Sequence, residues 1–389
     1  MRKIFTLLFV GMASLSASAQ QTVKTFPTAK QSTGNAPLLA APAQTPSSID
    51  DKLLGKKIFA TQLMDESKHR SWLYFYDKNP YNLNRVNIFE NEQGWQLNGI
   101  LLGAWGGDNY YCYFGKMNNM DNGMQWRGFK QFTTLDARTG QLGATLWDMS
   151  AEATTAKDGL VVFDYGAGNS EFNNLLDMTY DPCNDLLYTS EAYQKDASSD
   201  AVTFLYTINK ATGKLSKVKT MTDQIQYFCF DMDGNMWAIS PYWKETGKDE
   251  KNNPIFTFSG NYLTKYDENF EAVDDMRFII KDQTGTNIFA TSYGSMGFDH
   301  STGELYFTAR VANDATSMPY DKFMKIDTTN GKVVESNTFA SGNLIIGMYI
   351  PYYTADAREA AARVSDLKAT PNANGQMNAV LSWTNPSKA

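Results

Sequence analysis

MTYDPCNDLLYTSE (178–191), CFDMDGNMWAIS (229–240) and MGFDHSTGELYFTA (296–309) are three copies of one pattern: an apolar strand, an Asp, a short turn and a returning strand rich in apolar and aromatic residues. The Asp accepts hydrogen bonds from the turn backbone, and glycine, where present, takes the positive φ that a hairpin needs. A second hairpin type alternates with the first. It reads FTTLDARTGQL (132–142), LYTINKATGKL (205–215) and FMKIDTTNGKV (323–333), with LTKYDENFEAV (263–273) as a degenerate copy. Its anchors Asp136, Asn209, Asp267 and Asp327 are separated by 73, 58 and 60 residues. That is the length of a four-stranded unit with one enlarged loop, somewhat longer than the ~40–50 residues of a compact propeller blade.

Working outward, KKIFATQLM (56–64), SWLYFYDK (71–78) and RVNIF (85–89) supply three strands of a blade and lack the innermost one. At the other end LIIGMYIPY (344–352) is a strand with no partners after it. Pairing the two closes a ring and removes the unpaired edges. The expected fold is therefore all-β, a β-propeller over residues 51–353 closed by N- and C-terminal strands. Five blades are favoured: the composite one, 98–148, 175–220, 227–280 and 294–336. Six is the alternative if residues 149–174 contain strands, and a β-sandwich is a further one. No amphipathic helices stand between the strands, which argues against a TIM barrel or a doubly wound fold.

Arg2 and Lys3, the apolar run Ile4–Val10 and the small residues ending Ala17-Ser18-Ala19 form a signal peptide over residues 1–19. The run is too short for a membrane span of about 20 residues. Export to the periplasm, cell surface or medium is expected, with no transmembrane segment in the mature chain. Removing Arg2 and Lys3 leaves 33 basic against 42 acidic residues, a net charge of −9. With no basic run to neutralise phosphates, nucleic acid is not an expected partner. Residues 20–50, rich in Ala, Pro, Ser, Thr and Gln, read as a flexible leader. Cys112, Cys183 and Cys229 allow at most one bridge, and each reads as a small buried thiol in or beside a strand.

After a linker at 354–361, the stretch ARVSDLKATPNANGQMNAVLSWTNPSKA (362–389) resembles the first two strands of a fibronectin type III domain. Val364 and Leu367 match the A strand, Pro371 and Gly375 the turn, and Trp383 the B-strand core position. Two strands cannot bury that tryptophan, so a longer modular protein is expected. Signal peptide, propeller and fibronectin-like segment together resemble the layout of secreted or surface proteins of Bacteroidetes. The resemblance implies surface exposure and transfers no catalytic residue.

The chemistry is sparse. His69 and His300 are the only histidines, too few for a histidine-rich metal site, and neither HExxH nor GxSxG occurs. Asp181, Asp231 and Asp299 each follow a presumed innermost strand and would ring one mouth of the channel, where two carboxylates could cleave a glycosidic bond. Each also occupies the position a hairpin asks of Asp for structural reasons. DMDGN (231–235) resembles a calcium loop without the remaining oxygen ligands, so calcium is the one candidate cofactor. For ligand binding the candidates are aromatics in polar, glycine-rich contexts: Trp105, Tyr110 and Tyr111 in GAWGGDNYY, Trp126 in NGMQWRGF, and Tyr242 with Trp243 in SPYWKETG. Flat rings beside amides and carboxylates suit sugars, and the competing role is packing between blades. The expected function is a non-enzymatic binding protein for a glycan or protein partner. The alternatives are a glycosidase-like enzyme and a structural module of a surface assembly.

Overall fold

The computed structural model describes residues 57–64, 70–76, 78–81, 83–89, 96–119, 125–148, 172–194, 202–312, 320–339, 344–351, 368–371 and 379–382. The signal peptide, the leader, the linker and Val364, Leu367 and Trp383 of the fibronectin resemblance lie outside them. So does most of 149–174, on which the six-blade alternative rested. No helix among the described residues is long and apolar enough to cross a membrane.

The first blade contains β1 (Lys57–Met64), β2 (Arg70–Tyr76) and β3 (Asn84–Phe89). The second is β4 (Gln96–Trp105), β5 (Tyr110–Asn119), β6 (Gln125–Leu135) and β7 (Leu142–Asp148). The third is β8 (Phe172–Asp181), β9 (Leu186–Gln194), β10 (Val202–Ile208) and β11 (Leu215–Met221). The fourth is β12 (Tyr227–Phe230), β13 (Met236–Lys248), β14 (Pro254–Tyr266) and β15 (Ala272–Ile279). The fifth is β16 (Phe289–Asp299), β17 (Glu304–Ala312), β18 (Tyr320–Ile326) and β19 (Val333–Thr338). Then β20 (Leu344–Tyr349) returns to pair with β1, so the first sheet has the order β20-β1-β2-β3. Each innermost strand touches the next in a closed circle, β20, β4, β8, β12, β16 and back to β20. The chain is an all-β, five-bladed propeller closed by its terminal strands. Beyond the ring, β21 (Lys368–Pro371) and β22 (Ala379–Ser382) pair antiparallel.

Five apolar cores fill the wedges between adjacent blades, for the physical reason that each sheet buries both faces. Between the first and second blades Phe59, Trp72 and Phe89 meet Ile100, Tyr110 and Leu135. Between the fourth and fifth, Trp237, Ile239 and Leu263 meet Met296, Leu305 and Phe307. Burying one such side chain contributes about 1.5–3 kcal/mol, and the aromatic-rich composition supplies them in number. Polar contacts tie the inner strands together across these seams. Tyr110 donates to the Gly347 carbonyl at 2.7 Å, Asp177 accepts the Phe228 amide at 3.0 Å, and Ser295 accepts the Met348 amide at 2.9 Å. Gly347 has φ +58°, and a Cβ there would collide with the Tyr110 hydroxyl.

The two hairpin types have separate places in the blade. The first joins innermost to second strand, and the second joins third to outermost strand. Both therefore turn at the same end of the ring, the turn end. Links from second to third strand, and from one blade to the next, belong to the opposite end. In the degenerate copy Phe270 takes a left-handed φ of 58° at the turn and is anchored by packing against Tyr188 and Phe230.

Candidate functional site

One hairpin outgrows its blade. β13 and β14 have 13 residues each, while their neighbours β12 and β15 have 4 and 8. β12 covers β13 only as far as Ile239, and β15 covers β14 only from Tyr262 onward. Past Ser240↔Tyr262 the two strands continue as a two-stranded arm, paired from Pro241↔Asn261 to Lys248↔Pro254. The arm rises from the end opposite the turns. Its outer part, Lys244 to Ile255, is exposed, and its base carries Tyr242 and Trp243, both half-buried.

These two aromatics, adjacent in sequence, pack on different partners. Trp243 packs on Phe258 with centroids 5.5 Å apart, and Phe258 on Phe289 at 5.6 Å. Phe289 opens β16, so Trp243 stands on the side of the arm that faces the start of an innermost strand. Tyr242 packs on Tyr262 at 4.8 Å, and the Arg277 guanidinium lies 5.3 Å from the Tyr262 ring. Arg277 in turn pairs with Asp223.

The remaining aromatic candidates are dispersed. Tyr110 is fully buried, with its ring 4.6 Å from Trp72. Tyr111 is 5% exposed, stacks on Phe132 and donates to Asp108, and burial raises its phenol to about 12. Both are corrected from ligand contacts to packing groups. Trp105 is half-buried and stacked on Tyr349 at 4.5 Å, at the turn end. Trp126 lies on β6 opposite Asn118.

Asp181, Asp231 and Asp299 also lie at the turn end, far along the strands from the arm, and each holds its own turn. Asp181 accepts the amides of Cys183 and Asn184 and the Asn184 side chain, and its burial pushes the carboxyl upward. Asp231 accepts the amides of Asp233 and Asn235, the Asn235 side chain and the Trp237 indole N–H. Its two oxygens are thereby occupied by N–H donors, so this carboxylate closes its own turn. No group of three His, Cys, Asp or Glu side chains suited to a metal occurs among the described residues. Asp299 accepts the Ser301 amide and pairs with Lys78 at 3.0 Å. Cys112 and Cys229 are buried as expected; Cys183 is corrected, being exposed in the turn after Asp181.

The sequence reading passed over Asp177. It is 3% exposed on β8, accepts the Met178 and Phe228 amides at 2.9 and 3.0 Å, and is pushed up to about 8 by burial, against the opposing effect of those two hydrogen bonds. A signal was present: Asp177 precedes the turn Asp181 by four residues, as Ser295 precedes Asp299, and both accept an amide of the next blade.

No protein-family model matches the chain, and no curated protein matches it in sequence. Solved structures do share the fold. A thermostable family-43 glycoside hydrolase is similar over 75% of this chain and 96% of its own, with 9% identity and a TM-score of 0.35. An α-L-arabinanase of Penicillium chrysogenum in complex with arabinobiose matches over 78% and 94%, with 9% identity and a TM-score of 0.35. An α-L-arabinofuranosidase of Fusarium graminearum matches over 78% and 96%, again with 9% identity and a TM-score of 0.35. The likeness is one of fold. This finding stands against the expectation that the chain is not an enzyme: the solved structures similar to it in fold are themselves enzymes.

Proposed function

We propose that the protein is carbohydrate-active and engages a glycan at the arm end of its ring. The arm carries this reading. It lifts Trp243 beside the start of β16 and leaves it half-exposed, while Phe258 and Phe289 brace it from behind. A braced, flat indole offers the apolar face of a sugar a stacking surface at little cost in side-chain entropy. Hydroxyls of the same sugar find partners in the polar groups of the surrounding arm, among them the exposed Glu245, two residues on from Trp243.

Cleavage of a glycosidic bond is the activity favoured by one further observation. Asp177 on β8 keeps its proton to about pH 8, the state a general acid requires at neutral pH. In that reaction its O–H proton passes to the glycosidic oxygen while water adds to the anomeric carbon and releases a proton, so one C–O bond forms as the other breaks.

The test incubates the full chain, Trp243→Ala and Asp177→Asn with neutral oligosaccharides, following bound ligand and released reducing ends. Trp243→Ala loses release and weakens binding, and Asp177→Asn retains binding and loses release. Wild-type binding and release undiminished by Trp243→Ala would refute the arm as the glycan site; release undiminished in Asp177→Asn would refute the assigned acid.

A further inference from the structure

At the turn end, in the seam between the fifth and first blades, a cavity of about 450 Å³ is lined by Lys78, Asn79, Tyr81, Glu304, Tyr306, Lys325, Glu335 and Asn337. Its volume falls in the range of small-molecule sites, about 300–1,000 Å³. The fifth blade builds its wall by cross-strand register. Tyr306 on β17 is opposite Lys325 on β18, which is opposite Glu335 on β19, so all three share one face. The first blade contributes Lys78 from the turn after β2, at a left-handed φ of 57° that side-chain-bearing residues rarely adopt. That turn carries the ammonium to Asp299 at 3.0 Å, Glu304 at 3.2 Å and the face of Tyr306 at 4.5 Å.

Glu304 sits at the centre, taking Lys325 at 2.6 Å and the Tyr306 hydroxyl at 2.7 Å. The Lys325 and Tyr306 hydrogen bonds hold its carboxyl down to about 2, so it stays ionised. Tyr81, 55% exposed, stands at the rim.

We propose that this seam cavity is a second carbohydrate site, taking one uncharged sugar unit of a neutral oligosaccharide. The charge balance selects the class. Two ammonium groups and two carboxylates line the cavity together with two amides. An anion entering it would face Glu304 and Glu335, and a cation would face Lys78 and Lys325. A neutral polyol satisfies both sets, since each hydroxyl donates to a carboxylate and accepts from an ammonium or amide. Tyr81 supplies the stacking ring. The inference rests on the carbohydrate reading for its ligand class and places a second contact on a different face of the ring.

The test is NMR titration of the full chain with xylopentaose and maltopentaose, with trigalacturonate as the anionic control. Side-chain amide signals of Asn79 and Asn337 report on the seam, and the Trp243 indole N–H reports on the arm. The neutral sugars shift the Asn79 and Asn337 signals in wild type and in Trp243→Ala, and Tyr81→Ala weakens that response about fivefold to tenfold. Because Tyr81 is exposed, the variant retains the fold. Shifts at Trp243 with a silent seam overturn the second site and leave the arm reading standing. Seam shifts with a silent Trp243 uphold the second site and refute the arm. Silence at both refutes both, and a seam response to trigalacturonate alone overturns the uncharged class.

Discussion

Burial keeps the Asp177 carboxyl protonated in the folded ring up to about pH 8, whereas in the unfolded chain it ionises near its usual 3.8. Between those values the folded state binds the extra proton, so this group's contribution to stability is present below about pH 4 and is lost as pH rises towards 8. Each unit of separation corresponds to about 1.4 kcal/mol, which makes the loss several kcal/mol. Asp177→Asn keeps an oxygen for the Phe228 amide and cannot ionise. Thermal melts across this pH interval are expected to show a falling melting temperature for wild type and a flatter profile for Asp177→Asn; parallel profiles would contradict the buried, protonated carboxyl. At the ring's closing seam, Tyr110→Phe leaves the Gly347 carbonyl without its phenol partner and is expected to cost about 1–3 kcal/mol in denaturant unfolding.

Hairpins are the elements in which sequence and structure agree most closely. Asp136, Asn209 and Asp327 each accept amides two residues on, and glycine takes the left-handed position at 140, 213 and 331. Local hydrogen-bonding chemistry settles these turns, so they are readable without tertiary information. The same logic makes Asp231 structural: Asp231→Ala orphans the Asp233 and Asn235 amides and the Trp237 indole, with an expected loss of about 2–3 kcal/mol and no change in glycan binding. The arm was less legible. SPYWKETG showed that Tyr242 and Trp243 precede a charged, loop-like run, but not that the run continues as paired strands. Its alternation is broken by bulges after Pro241 and Glu245, so period-2 counting fails there. Replacing residues 244–255 by a short turn is expected to retain the melting temperature and weaken glycan binding, because the outer arm has no flanking strand to stabilise among the described residues.

At the scale of the ring, the missing first strand at the N-terminus and the unpartnered strand at the C-terminus revealed closure, and the pairing of β20 with β1 meets that expectation. Blade count followed from the alternation of two hairpin types. Long-range placement did not follow: nothing in the spacing of Tyr110 and Gly347, or of Asp177 and Phe228, shows that they meet across seams. The seam cavity was hidden for the same reason, since Lys78 and Glu304 are 226 residues apart. What the ring does follow from its ends. The turn end is occupied by carboxylates closing their own hairpins, and the arm end presents a braced and half-exposed tryptophan. A glycan array probed with full-length wild type, Trp243→Ala and Asp231→Asn separates the two ends directly. Full binding by wild type and Asp231→Asn, with clearly weakened binding in Trp243→Ala, is the predicted result; binding undiminished in Trp243→Ala and lost in Asp231→Asn would contradict it.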